Sequence, residues 1–193
     1  AIPGRKVLVH GGGRRATKVA AALGIESKMV DGRRITDADM LEVVTMVYGG
    51  LVNKNIVARL QAQGVNALGL TGADIDVIRS HKRPLKNGID YGFVGDVDRV
   101  DDEVLSSLVE TLAQGGRNGA VVMSPLTHDG LGNMLNTNAD TIAGETARAL
   151  AKHYDVTLTF CFEKPGVMRD PDDDDSVIPQ ISLSSYQQLK EQG

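Results

Sequence analysis

Val7-Leu8-Val9-His10-Gly11-Gly12-Gly13-Arg14-Arg15-Ala16 carries the clearest local pattern in the chain. An apolar run over 6–9 meets three glycines and then a helical pattern from Arg14 to Leu23, closed by Gly24. That order predicts strand, turn and helix in direct succession. Residues without a Cβ leave backbone N–H groups bare, and the following helix aims its positive dipole end at the same spot. Anions bind at such places: phosphate, carboxylate or both. A plain strand-to-helix turn needs only one or two glycines. The spacing is not G-x-x-x-x-G-K-[ST], which excludes a Walker-type nucleotide loop. Gly11-x-Gly13-x-x-Ala16 does fit the looser dinucleotide fingerprint, with Asp31 near the distance of a ribose contact. A nicotinamide-dependent oxidoreductase is therefore an alternative. Against it, Ile25 to Val30 contains Glu26, Ser27 and Lys28 and makes a poor buried second strand.

Outward from this stretch, strand and helix patterns alternate. A short hairpin is expected from Lys28 to Ile35, turning at Asp31-Gly32. Thr36 and Asp39 resemble a capping box before the longest helical pattern, Met40 to Leu60. Gly49-Gly50 inside it costs about 1 kcal/mol per residue relative to Ala, which points to close packing against another backbone, such as a subunit interface. Strands are expected at Ala67–Leu70, Ala120–Met123 and Val156–Phe162, and short polar strands and turns over Asp74–Asp98. Further helices are expected over Asp101–Gln114, from Asn138 to Lys152, and over Ser184–Gln192. Interleaved strands and helices predict an α/β fold with a mostly parallel sheet covered on both faces.

Several side chains have the chemistry of a site. Arg33-Arg34 follow the hairpin turn, and a guanidinium grips a carboxylate through two hydrogen bonds; solvated surface arginines are the blander alternative. Asn136-Thr137-Asn138-Ala139-Asp140 enters a helix, with Asn138 as its N-cap and Asp140 matching the dipole. Capping does not require Asn136. The run Asp172-Asp173-Asp174-Asp175 lacks the alternation and glycine of a calcium loop and is expected to be solvated. The four histidines show no i, i+4 pair, so a zinc site is not expected. Cys161 lies in an apolar run and is expected to be an inert core residue.

Composition bounds the answer. The 193 residues are 41% hydrophobic and 24% charged, which excludes global disorder. Twenty-one Lys plus Arg against 25 Asp plus Glu give a formal charge of −4, so a broad nucleic-acid footprint is not expected. No apolar run approaches the roughly 20 residues of a membrane-spanning helix, and no signal peptide is read at Ala1 to Val9. A single cysteine suits a reducing compartment.

Five stretches together carry a family resemblance. They are Val9-His10-Gly11-Gly12-Gly13, Asp31-Gly32-Arg33-Arg34-Ile35-Thr36, Gly49-Gly50-Leu51-Val52-Asn53-Lys54, Gly95-Asp96-Val97 and Leu135-Asn136-Thr137-Asn138-Ala139-Asp140-Thr141. In this order the chain resembles the amino acid kinase family, in the branch that phosphorylates N-acylated glutamate. The resemblance implies a three-layer αβα sandwich and ATP-dependent phosphorylation of the γ-carboxylate of N-acetyl-L-glutamate, or another N-acyl-glutamate, in arginine biosynthesis. It also implies a cytoplasmic homo-oligomer, and Mg²⁺ carried on the ATP phosphates. By the same resemblance Gly12 and Gly13 supply N–H groups to substrate and the transferring phosphoryl, Arg34 holds the α-carboxylate, and Asn136 binds the amino-acid part. Asp140 orients catalytic lysines, while Glu163 and Gly166 run beside the nucleotide. Residues 1–155 would form the acyl-amino-acid-binding lobe and 156–193 the start of a nucleotide-binding lobe. The family's Lys-x-Gly-Gly strand and its Gly-Gly-Met-x-x-Lys lysine do not occur in these 193 residues. This chain alone is therefore expected to be inactive, and a non-catalytic acyl-amino-acid-binding module is a further alternative.

Overall fold

The structure, a computed structural model, describes residues 4–30, 32–85, 87–170 and 172–192. Two compact units divide it, Ala1–Thr157 and Leu158–Gly193.

In the first unit, strands β1 (Val7–Val9), β7 (Gly119–Met123) and β4 (Asn66–Leu70) form a parallel sheet in the order β1-β7-β4. Every residue of the middle strand is buried, as expected of a strand covered on both faces. Its side chains alternate. Val121 and Met123 join a core with Leu105 and Val109 of helix α4 (Asp102–Ala113) and Ile142 and Leu150 of helix α5 (Ala139–Leu150). A second core gathers Ala16 and Ala20 of α1 (Gly13–Ala22), Met40, Val43 and Val44 of α2 (Ala38–Val44), and Val47, Tyr48 and Leu126. A mixed sheet, β6-β5-β8-β9, holds Gly95–Val100, Ile78–Lys82, Leu126–His128 and Met134–Asn136. Strands β2 (Met29–Val30) and β3 (Arg33–Arg34) make a separate antiparallel pair. The predicted hairpin is thus present, although Asp31 at its turn lies outside the described residues.

The long helical pattern is continuous but not uniform. Between α2 and α3 (Asn53–Ala62), residues Thr45–Val52 wind as a π-helix. Gly49 packs against side chains of Leu126 and Thr71 rather than another backbone, and Gly50 faces open space. The cap of α2 is Asp37, whose carboxylate accepts from the Met40 N–H at 2.9 Å. Thr36 does not cap because it is fully buried and its hydroxyl accepts from Asn136. Among the described residues no helix is long and apolar enough to cross a membrane.

In the second unit, residues 158–162 form no ladder and are exposed. The predicted strand fails there because an extended segment becomes a strand only beside a hydrogen-bonding neighbour. Cys161 is accordingly exposed rather than a core residue. Asp172 to Asp175 form the expected solvated loop, and α6 (Leu183–Gln192) closes the unit.

One loop presses on the hairpin region. Phe93 N–H donates to Thr36 O at 2.6 Å and Thr36 N–H to Tyr91 O at 2.9 Å. Gly92 sits between them at φ +72°, where a Cβ would lie 2.1 Å from Thr36 O. Gly92→Ala should therefore lower stability by about 1–3 kcal/mol, read from the urea midpoint. Arg83 pairs with Asp96 beneath the same loop, and that bond holds the Asp96 carboxyl below its ordinary value against an opposing desolvation. A lowered carboxyl stabilises the fold above the ordinary carboxylate range and loses that contribution as pH falls through the folded value. Asp96→Asn should flatten the acid limb of stability below about pH 4.

Candidate functional site

β1 runs into His10 and the three glycines, and α1 begins at Gly13 with Gly12 as its N-cap. No side chain caps this helix and no acidic residue lies in its first turn. Its leading N–H groups have no intrahelical partner. Gly12 is required sterically, since a Cβ there would stand 2.7 Å from the Tyr48 ring. The π-helical stretch carries Tyr48 to this position, 5% exposed in the second core.

A cleft of about 200 Å³ opens beside the loop. Gly11, Gly12, Gly13, Arg33, Arg34 and Asn136 all line it. Thr137, Asn138 and Ala139, where α5 begins, form another wall, and Met29, Tyr48, Val94 and Pro125 supply apolar surface. Two helix N-termini thus converge on one cavity. Among the described residues, its lining contains two arginines, no carboxylate and no lysine.

Arg34 is 8% exposed, so the surface-arginine alternative fails for it. Its Nη2 donates to Gly13 O at 3.1 Å and to Thr17 Oγ1 at 3.0 Å, and its Nη1 donates to Ser27 Oγ. No carboxylate among the described residues lies within ion-pair distance. A guanidinium this enclosed normally has an anionic partner, because burying an unpaired charge costs several kcal/mol. Burial pushes the Tyr48 hydroxyl above its ordinary pKa, opposed by the charge of Arg34. Asn136 Nδ2 donates to Thr36 Oγ1 at 2.9 Å. Buried on β9, Asn136 is held by its backbone N–H to Phe93 O at 2.8 Å. Asn138 caps α5 through Thr141 N–H at 3.0 Å, as its sequence position predicts.

The geometry brings Gly12, Gly13, Arg34 and Asn136 into one cavity. Asp140 is exposed in the first turn of α5, next to the lining residue Ala139. Glu163 and Gly166 belong to the second unit, where Glu163 is exposed and a Cβ on Gly166 would meet Val177 at 2.9 Å. Reading the sequence missed Tyr48, Thr17 and Ser27. Only the packing of α2, the π-helix and the hairpin brings them to the loop, and no spacing in the chain announces it.

The sequence matches the Amino acid kinase family over residues 4–193. The chain belongs to the amino acid kinase family. Acetylglutamate kinase of Bacteroides fragilis is 69% identical over 194 aligned residues, covering 100% of this chain and 71% of that protein. Acetylglutamate kinase of Methanopyrus kandleri is 41% identical, over 97% of this chain and 74% of that protein. Among solved structures, smu.665 from Streptococcus mutans has a TM-score of 0.65 at 30% identity, covering 75% of this chain and 56% of that one. N-acetylglutamate synthase from Neisseria gonorrhoeae, complexed with coenzyme A and N-acetyl-glutamate, has a TM-score of 0.70 at 22% identity. It covers 98% of this chain and 40% of that one, a likeness of fold. Membership of the amino acid kinase family overturns the oxidoreductase alternative. The fold agrees, because β2 pairs with β3 and not within the central sheet that a dinucleotide fingerprint requires.

Gly12→Ala should destabilise the chain by about 1–3 kcal/mol through the clash with Tyr48. In a Tyr48→Ala background the same substitution should cost little. A double-mutant cycle by urea denaturation measures that coupling.

Proposed function

We propose that the cleft binds an N-acyl-L-glutamate and that the chain serves ATP-dependent phosphorylation of the γ-carboxylate of N-acetyl-L-glutamate in arginine biosynthesis. The observation that carries this reading is the convergence of Arg34, Asn136 and the glycine loop on one cavity with no carboxylate in its lining among the described residues. Such a cavity favours an anionic guest of a few carbon atoms. The 69% identity to a protein named acetylglutamate kinase supports the substrate.

In the reaction a γ-carboxylate oxygen attacks the terminal phosphorus of ATP, the bond to the ADP oxygen breaks, and an acyl phosphate forms. This chemistry depends on alignment and on compensation of charge over the phosphoryl oxygens. Gly12 and Gly13 offer N–H groups to substrate and phosphoryl. Arg34 binds the α-carboxylate in exchange for part of its present bonding, and Asn136 binds the amino-acid portion. Asp140 orients cationic groups, and Glu163 and Gly166 contact the nucleotide. Residues 1–155 would then be the acyl-amino-acid lobe and 156–193 the start of the nucleotide lobe. With no carboxylate lining the cleft among the described residues, Mg²⁺ is held by the ATP phosphates in this reading. The working form is a cytoplasmic homo-oligomer.

Calorimetric titration with N-acetyl-L-glutamate should show binding, and Arg34→Ala should weaken it about 10- to 100-fold, the loss of one charge-assisted contact. Unchanged affinity in a folded R34A chain would remove Arg34 from the site. We also expect no turnover from these 193 residues alone, because the lining holds no lysine among the described residues. Hydroxylamine trapping of acyl phosphate from the purified chain with ATP and Mg²⁺ tests this; a signal above blank contradicts it.

A further inference from the structure

We propose that His10 is a positioning residue: held by Asn53, its ring fixes the Gly11 carbonyl and so aims the Gly12 N–H into the cleft. This rests on the anion-binding reading above and adds a device behind the loop.

His10 leaves β1 and is buried, 8% exposed. Its Nδ1 lies 2.7 Å from Gly11 O, and its Nε2 lies 3.2 Å from Asn53 Nδ2. A carbonyl oxygen only accepts and an amide nitrogen only donates. The ring therefore donates through Nδ1 and accepts through Nε2, which defines the neutral Nδ1–H tautomer. Burial, which lowers the pKa of His10, acts in the same direction.

Asn53 cannot be turned over. It is 1% exposed, and the same Nδ2 donates to Val122 O of β7 at 3.0 Å. Reversed, its oxygen would face that carbonyl. Its Oδ1 has no hydrogen-bond partner, and a Cβ on Gly69 would lie 2.0 Å from it. Burying an amide oxygen unpaired is unfavourable, so the donor end is what this position preserves. The chain of contacts runs from the middle strand through Asn53 and His10 to the loop.

The consequence follows from peptide geometry. In a trans peptide the C=O and the next N–H point in opposite directions. A bond that draws the Gly11 carbonyl toward His10 turns the Gly12 N–H away from the ring. Glycines otherwise rotate freely, so without this bond the loop has no side chain of its own to choose the orientation of that peptide.

Nitrogen NMR of the labelled chain at neutral pH should show Nδ1 protonated and Nε2 not; a ring protonated on Nε2 overturns the proposal. His10→Gln reaches Asn53 but not Gly11 O, whereas the amide of His10→Asn can stand in the place of Nδ1. H10Q should weaken N-acetyl-L-glutamate binding about tenfold and abolish the ligand-induced shift of the Gly12 amide, and H10N should recover most of both. Equal behaviour of the two variants, or wild-type affinity in H10Q, overturns the proposal. If the unaltered chain does not bind N-acetyl-L-glutamate, the substrate reading fails by itself. Inorganic phosphate then reads the loop alone: no Gly12 shift in the unaltered chain, or one retained in H10Q, overturns the positioning role, and a shift lost in H10Q supports it.

Discussion

A buried guanidinium with no carboxylate beside it among the described residues organises this molecule. Arg34 comes from the two-residue strand β3, too short to hold itself in place. Its bonds to Gly13 O and Thr17 Oγ1 fasten the hairpin to the start of α1, and its bond to Ser27 Oγ ties it to the segment before β2. Desolvating a charge is costly unless hydrogen bonds replace the lost water. Here neutral acceptors do part of that work, and no carboxylate among the described residues pairs with the charge beside the open cleft. Arg33 adds a second positive charge at the lining. In the proposed reading an anionic ligand completes the electrostatics.

Shape and charge reach the same place by different routes. The π-helical stretch delivers Tyr48 against Gly12, the loop glycine at which a Cβ would collide with its ring, so the ring forms a wall of the cavity and excludes a side chain there. A regular α-helix through Thr45–Val52 would change the angular position of every residue after it. The π-helical turn is therefore tied to the site, and Gly49, tightly packed on Leu126 and Thr71, keeps the stretch close to β8 and the end of β4.

Much of this was legible in the chain because it rests on local rules. The strand-glycine-helix unit, Asn138 as a cap and the buried strand at 119–123 each follow from a few neighbouring residues. The burial of Arg34 was not legible, since a pair of arginines after a turn reads equally well as surface. Only Ser27, Thr17 and the Gly13 carbonyl, gathered by tertiary packing, tell the two apart. Residues 156–162 fail for the converse reason: their composition is that of a strand, but ladder partners are a property of the assembled sheet. The displacement of the cap from Thr36 to Asp37 has the same origin, because Thr36 is claimed by Asn136 across the cleft.

The two helix N-termini at the cleft differ in a way that assigns their work. At α5 the Asn138 side chain already accepts from Thr141, and Asp140 matches the dipole in the first turn. That end has a side-chain cap within the protein. At α1 the cap residue is glycine, which offers no side-chain cap, and no acid stands in the first turn. Unsatisfied donors at a helix start seek an acceptor, and a cavity beside them lets a ligand provide it. A serine or aspartate cap at position 12 would satisfy the helix by 0.5–2 kcal/mol in ordinary circumstances. Here it would collide with Tyr48 and occupy the very donors that an anion needs. In the proposed reading, stability given up at this one turn is what leaves donors for negative oxygen atoms.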